Sequence, residues 1–147
     1  MDIKDRLLYP QLDMSHRLRI QIRFTDYDTF GHINNNSYMS FFDLGKSDFF
    51  HELTHHDGLP SDFSVAIVNI NVDFLCPAVA SEPLEVRSSV VKVGDRSFTV
   101  YQRIVNPDTE QVKAQAVSVL AGFDVKTQQG SPLSEAFREK LVASMKG

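Results

Sequence analysis

A chain of 147 residues with 42% hydrophobic content has the length of one ordinary domain and enough apolar material to bury a core. Its net charge of −4 argues against a nucleic-acid binder and gives no attraction to an anionic membrane. Cys76 is the only cysteine, which excludes an intrachain disulfide and a thiolate metal cluster. The opening MDIKDRLLYPQLDMSH lacks the apolar core of a secretion signal and no later stretch is long enough to span a bilayer, so a cytoplasmic protein is expected.

In chain order, residues 1–16 show no sustained periodicity and form a lead-in to a single domain covering 1–147. From His16 to Phe24, Leu18, Ile20, Ile22 and Phe24 alternate with Arg17, Arg19, Gln21 and Arg23, the pattern of a half-buried strand with a basic outer face. A polar loop follows with Asp26, Asp28, Gly31 and His32. Asn34, Asn35 and Asn36 then open a helix, because such residues satisfy the first backbone N–H groups. Tyr38, Phe41, Phe42, Gly45, Phe49 and Leu53 recur at three- and four-residue steps, one broad apolar stripe of about five turns. Glycine inside a helix costs about 1 kcal/mol relative to alanine, so Gly45 predicts close approach of the helix to a sheet. Gly58 and Pro60 are stop signals.

The period then changes to two. Ala66, Val68, Ile70, Val72 and Phe74 share one face, and Ile67, Asn69, Asn71 and Asp73 the other, until Pro77. Leu84 to Val93, Ser97 to Asn106 and Gln111 to Phe123 are further strands, joined by turns at Gly94-Asp95 and Asn106-Pro107-Asp108. Ser131-Pro132 is the expected cap and first position of a terminal helix with Leu133, Phe137, Leu141 and Met145 on one face. The predicted class is α+β: one antiparallel sheet wrapped over one central helix buries both apolar faces at once.

The run D-x-D-x-x-G-H-I-N-N-x-x-Y from Asp26 to Tyr38, followed by Phe42-Asp43-Leu44-Gly45-Lys46, resembles the signature of the hotdog-fold acyl-CoA thioesterases of the 4-hydroxybenzoyl-CoA thioesterase type. AIVNINVDFLCPA, from Ala66 to Ala78, is similar to the strand after the central helix in long-chain acyl-CoA members. The resemblance implies an acyl-CoA substrate, no cofactor or metal, and a homodimer or homotetramer with sheets joined edge to edge and sites at the subunit interface. It also implies that Asp28 is the catalytic carboxylate and that the backbone N–H of Asn35 binds the thioester oxygen. Gly31, Asn34 and Tyr38 become candidates for touching substrate, and His32 either orients substrate or, the favoured reading, supports the loop. The family's Glu-x-Ala-Arg is Asp43, Leu44, Gly45 and Lys46 here, with charge or small size kept at the three defining positions.

The chemistry fits independently. Thioester hydrolysis needs a carbonyl whose oxygen is stabilised as it becomes negative, and a carboxylate that either activates water or attacks directly. A carboxylate just ahead of a helix N-terminus sits beside unpaired N–H groups and the positive end of the macrodipole. Asp26 either tunes Asp28 as a nearby like charge or is a plain turn aspartate.

Other features compete. His51-Glu52-Leu53-Thr54-His55 matches the zinc-protease pattern H-E-x-x-H, which Gly58 extends, but the further histidine that the longer pattern wants is Ser61, and no histidine cluster follows His56. A solvated polar helix end is the expected reading. Cys76 is expected to pack as a core or strand-end residue. Arg87, Lys92, Arg96, Arg103 and Lys113 can meet CoA phosphates, although scattered strand cations are usually solvated. A non-catalytic acyl-CoA binder or regulator on the same fold is the alternative function.

Overall fold

The computed structural model describes residues 3–55, 59, 63–79 and 81–145. Gly58 and Pro60, the expected stop signals, lie outside the described residues, as do His56 and Ser61. The central helix α1 runs Asn35–Leu53. Asn34 caps it from an extended conformation (φ −79°, ψ 158°), its side chain accepting a hydrogen bond from the backbone N–H of Ser37 at 2.8 Å. The predicted stripe is the buried one: Tyr38, Phe41, Phe42, Gly45 and Phe49 all face the sheet. A Cβ on Gly45 would collide with Val86 of the sheet and come within 3.0 Å of Gln102 Nε2, which explains the glycine.

Six antiparallel strands wrap this helix: β1 His16–Arg19, β2 Phe63–Phe74, β3 Glu85–Val93, β4 Ser97–Asn106, β5 Gln111–Asp124 and the short β6 Gln129–Gly130. The order across the sheet is β1-β3-β4-β5-β2, with β6 on the end of β5. This is the expected α+β hotdog arrangement. β3, β4 and β5 form the meander that the turn signals predict, whereas β2 crosses to the far side and pairs with β5, its other edge unpaired among the described residues. One apolar cluster of Ile33, Tyr38, Phe41, Phe42, Leu84, Val86 and Ile104 lies beneath the first half of α1. A second, with Phe49, Val90, Phe98, Val100 and Leu120, lies beneath its second half and takes in the terminal helix α2, Glu135–Met145. Burying each such aromatic or branched side chain contributes about 1.5–3 kcal/mol.

Three predicted elements differ in detail. β1 stops at Arg19 rather than Phe24, and Phe24 is 93% exposed. Past Ile20, whose N–H still bonds Leu84, the chain leaves the sheet and Phe24–Asp26 turn as a 3-10 helix held by Arg23 and Asp26. In β2 the pairing slips between Ile67 and Asn69. The bulge reverses which face points inward: Val65 packs in the second cluster before it, Ile70 and Val72 in the first cluster after it, and Val68 is 60% exposed. At the tail, Ser131 and Leu133 donate backbone hydrogen bonds to Gly122 and Asp95, holding 131–133 extended. The helix therefore begins at Glu135, with Ser134 Oγ accepting from Phe137 N–H at 3.4 Å, rather than at Ser131-Pro132. The lead-in lies on the outer face of the sheet, where Arg6 O and Leu8 N–H bond the Gln115 side chain and Tyr9 meets Tyr101 at 4.8 Å between ring centroids.

Candidate active site

The turn from Asp26 to Asn34 brings its two carboxylates to opposite uses. Asp26 is fully buried. It accepts from Arg23 N–H at 2.7 Å, from Arg23 Nη2 at 3.1 Å and from Ser37 Oγ at 2.7 Å. Burial pushes its pKa up, but the hydrogen bonds from Arg23 and Ser37 outweigh it and hold the carboxyl below its ordinary value. The Asp26 backbone also accepts from Asn34 N–H at 2.8 Å, so this residue ties the turn to the start of α1.

Asp28, by contrast, is exposed. Its Oδ1 accepts from the N–H groups of Phe30 at 2.9 Å and His32 at 3.1 Å, and its own N–H donates to His32 O at 2.8 Å. Gly31 closes the turn at φ 76°, a conformation that favours glycine. One carboxylate oxygen is fixed by backbone donors, and the other makes no hydrogen bond to the described residues. Asn35 is the first residue of α1, where helix geometry provides no intrahelical acceptor for its N–H. Asn34 serves Ser37, which leaves the N–H groups of Asn35 and Asn36 directed out of the helix end at its positive pole.

These parts meet in a cavity of about 230 Å³ lined by Asp28, His32, Ile33, Asn35, Tyr38, Phe74, Leu75, Cys76 and Pro77. Four of the residues singled out from sequence therefore share one cavity: Asp28, His32, Asn35 and Tyr38. Gly31 and Asn34 are not among its walls, and their roles are the turn's backbone and the helix cap. Tyr38 is buried, its ring 5.4 Å from that of Phe74, and burial pushes its phenol up to about 12 against a backbone hydrogen bond at Ala78. The opposite wall is a loop clamped onto the turn, with Ile33 N–H donating to Ala78 O at 2.9 Å and His32 bridging to Val79.

A site that pairs a held carboxylate with orphan helix N–H groups suits chemistry at a carbonyl. Residues 22–141 match the family model of the thioesterase-like superfamily. The chain belongs to the thioesterase-like superfamily. This thioesterase is 31% identical over 134 residues to the long-chain acyl-CoA thioesterase FadM of Escherichia coli K12, covering 87% of this chain and 98% of that one. The crystal structure of YbaW from Escherichia coli superposes with a TM-score of 0.73 at 28% identity, over 90% of this chain and 99% of that chain. A Thermus thermophilus thioesterase complexed with coenzyme A and zinc shares the fold, with a TM-score of 0.73 at 24% identity over 89% of this chain and 95% of that chain.

Sequence reasoning missed the far wall of the cavity. Cys76, expected only to pack, is half-buried and faces the same space as Asp28. Its position just past the end of β2 is a strand-end placement, but nothing local to FLCPAV signals the loop's return to Asp28. Of the cations considered for CoA phosphates, Arg87 is buried and paired with Glu85 at 2.6 Å and Glu110 at 2.7 Å. Arg103 donates to Tyr101 Oη and Tyr9 O, and Lys113 is buried against Glu82 at 2.8 Å. These three serve the protein itself. Lys92 and Arg96 are exposed.

The H-E-x-x-H pattern does not form a histidine pair. α1 ends at Leu53, and His55 lies beyond it at φ 53°, out of helical register with His51. His51 and Glu52 are exposed, as a polar helix end should be. No described helix is long and apolar enough to cross a membrane.

Proposed function

We propose that this thioesterase hydrolyses acyl-CoA thioesters to free acid and CoA, with Asp28 as the catalytic carboxylate and the backbone N–H of Asn35 polarising the thioester carbonyl. The observation that carries the reading is the shared cavity of Asp28 and Asn35. A carbonyl oxygen placed on the Asn35 N–H gains charge as water adds, at a helix end that favours negative charge. The oxygen of Asp28 that no backbone group occupies either takes a proton from the attacking water or attacks the carbonyl carbon itself. In the first route a tetrahedral intermediate collapses with loss of the CoA thiolate. In the second a mixed anhydride forms as the thiolate leaves, and water then cleaves it. His32 supports the loop, its N–H on Asp28 Oδ1 and its carbonyl on Asp28 N–H. Tyr38 forms an inner wall on the substrate side.

The FadM likeness and the exposed apolar residues around the site suit a long acyl chain. A pocket of about 230 Å³ falls below the roughly 300–1,000 Å³ usual for ligand sites, which supports completion by a second subunit. The free edge of β2, with Ile67, Val68 and Phe74 each more than 40% exposed, is where the partner's sheet would join. A cytoplasmic homodimer or homotetramer is the assembly we infer.

A panel of acyl-CoA thioesters of increasing chain length, followed by free-thiol release, tests the reading. Asp28→Asn is expected to keep the fold and lower kcat about a thousandfold, within the range of general-base contributions. Hydrolysis by Asp28→Asn at the wild-type rate would overturn the assignment.

A further inference from the structure

Behind the cavity wall lies an ion pair of buried Lys113 with half-buried Glu82 that the chemistry above does not use. Lys113 has 2% of its surface exposed, and its Nζ meets Glu82 Oε1 at 2.8 Å, Gln111 Oε1 at 2.6 Å and Pro77 O at 3.4 Å. The other oxygen of Glu82 accepts from Val79 N–H at 2.8 Å, and Asn106 Nδ2 donates to Oε1 at 2.9 Å. Burial alone would raise the Glu82 carboxyl, but Lys113, the Val79 N–H and Asn106 together hold it below its ordinary value.

Lys113 is presented by an irregularity. Ile104 pairs with Ala114 while Val105 pairs with Val112, so Lys113 is the extra residue of a bulge in β5. Bulges beside sites serve to re-aim a side chain. Here the Lys113 carbonyl also accepts from Leu75 and Cys76 N–H at 2.9 and 3.1 Å, so backbone and side chain of one residue grip the 75–79 segment. The turn after it includes Ser81 at φ 75°, a left-handed conformation that persists only where neighbours over-determine it. Glu82, with its bonds to Val79, Asn106 and Lys113, supplies that constraint.

The gripped segment is the one that holds the catalytic turn, through Ala78 O to Ile33 N–H and through the His32 to Val79 bridge. We infer that Lys113 and Glu82 are positioning residues for the Asp28 turn, acting through the Pro77–Val79 segment. This inference rests on the proposed role of Asp28. Without the clamp, Asp28 and the Asn35 N–H lose their fixed separation across the cavity, and a displacement of about 1 Å at such a site costs up to about a hundredfold in rate.

The test uses Lys113→Met, Glu82→Gln and the double variant in the full chain. Each single change leaves one charge without its counter-charge in a largely dry setting and lowers stability, whereas removing both charges restores much of it. Positioning predicts that the double variant regains most of the Tm while kcat stays about tenfold or more below wild type, with KM changed about threefold or less. Amide hydrogen exchange at Ile33 and Val79 is expected to stay fast in the double variant while exchange in β4 returns to the wild-type rate. Recovery of kcat together with Tm, or wild-type exchange at Ile33 in Lys113→Met, would overturn the inference in favour of a purely stabilising pair. Exchange needs no substrate, so failure of the wild-type protein to hydrolyse any acyl-CoA would strike the proposed function and leave the clamp's effect on the turn separately measurable.

Discussion

The two ends of α1 both gather titratable side chains, and they differ in what those side chains face. At the C-terminal end His16, Asp48 and Glu52 bring three ligand-type atoms within 4.8 Å of one another, beside the histidines of the H-E-x-x-H pattern. His16 Nε2 is bonded to Asp48 at 2.8 Å, His16 Nδ1 is buried with no hydrogen-bond partner among the described residues, and the Asp48 and Glu52 side chains are 47% and 70% exposed. This is a brace between β1 and the helix, with its charges largely in water and worth little. At the N-terminal end Asp26 is consumed by its partners Arg23 and Ser37, while Asp28 is held by two backbone N–H groups and shares a cavity with Asn35 at the helix start. On the proposed reading, preorganised donors aimed at developing charge, rather than the density of titratable groups, set the N-terminal end apart.

The sharpest way to break that contrast removes the donor without touching a side chain. Asn35→Pro deletes the N–H at the first helical position, where proline is well tolerated because that N–H has no intrahelical partner. Asn34 already has the extended φ and ψ that a residue before proline requires. The helix should survive, and kcat should fall about a hundredfold, the usual cost of losing one oxyanion donor. Circular dichroism and steady-state kinetics on the same sample check both halves. Unchanged turnover would move the oxyanion site away from the helix end.

A smaller effect separates the two aspartates of the turn. Asp26→Ala removes charged hydrogen bonds from Arg23 and Ser37 and should cost about 2 kcal/mol of stability. The folded carboxyl lies below the ordinary value of 3.8, so its contribution is fully present above that pH and disappears as pH falls through the lowered value. Denaturant unfolding across the acid range should show wild type and Asp26→Ala far apart at neutral pH and converging at low pH. A gap that stayed constant would assign the difference to packing rather than charge.

Much of this was legible in the sequence because it is local. The stripe from Tyr38 to Phe49 has a helical period, and Asp28, Gly31, His32 and Asn35 fall within one turn and its helix start. What was not legible depends on cross-strand pairing. The bulges at Val68 and Lys113 reverse or re-aim faces without leaving a mark in the alternation. Lys113 looks in sequence like one more scattered cation, and only the pairing of β5 with its neighbours sets it against Glu82. Cys76 reads as a strand end because the contact that matters, His32 with Val79, joins segments on either side of the whole central helix.

The smallest expected effect belongs to the other end of α1. His51 lines a recess with Phe50, Thr54 and Leu59, whereas His55 lines a different one with His16 and Glu52. A zinc site needs its histidines on one helix face, and the end of α1 at Leu53 removes the geometry that would put them there. His51→Ala and His55→Ala should therefore each leave thioester hydrolysis within about twofold of wild type, the range of ordinary surface substitutions. A chelator should change neither variant nor wild type. A large loss in either variant, or chelator-sensitive turnover, would mean that the C-terminal end of α1 takes part in the reaction and that the contrast between the two ends is drawn in the wrong place.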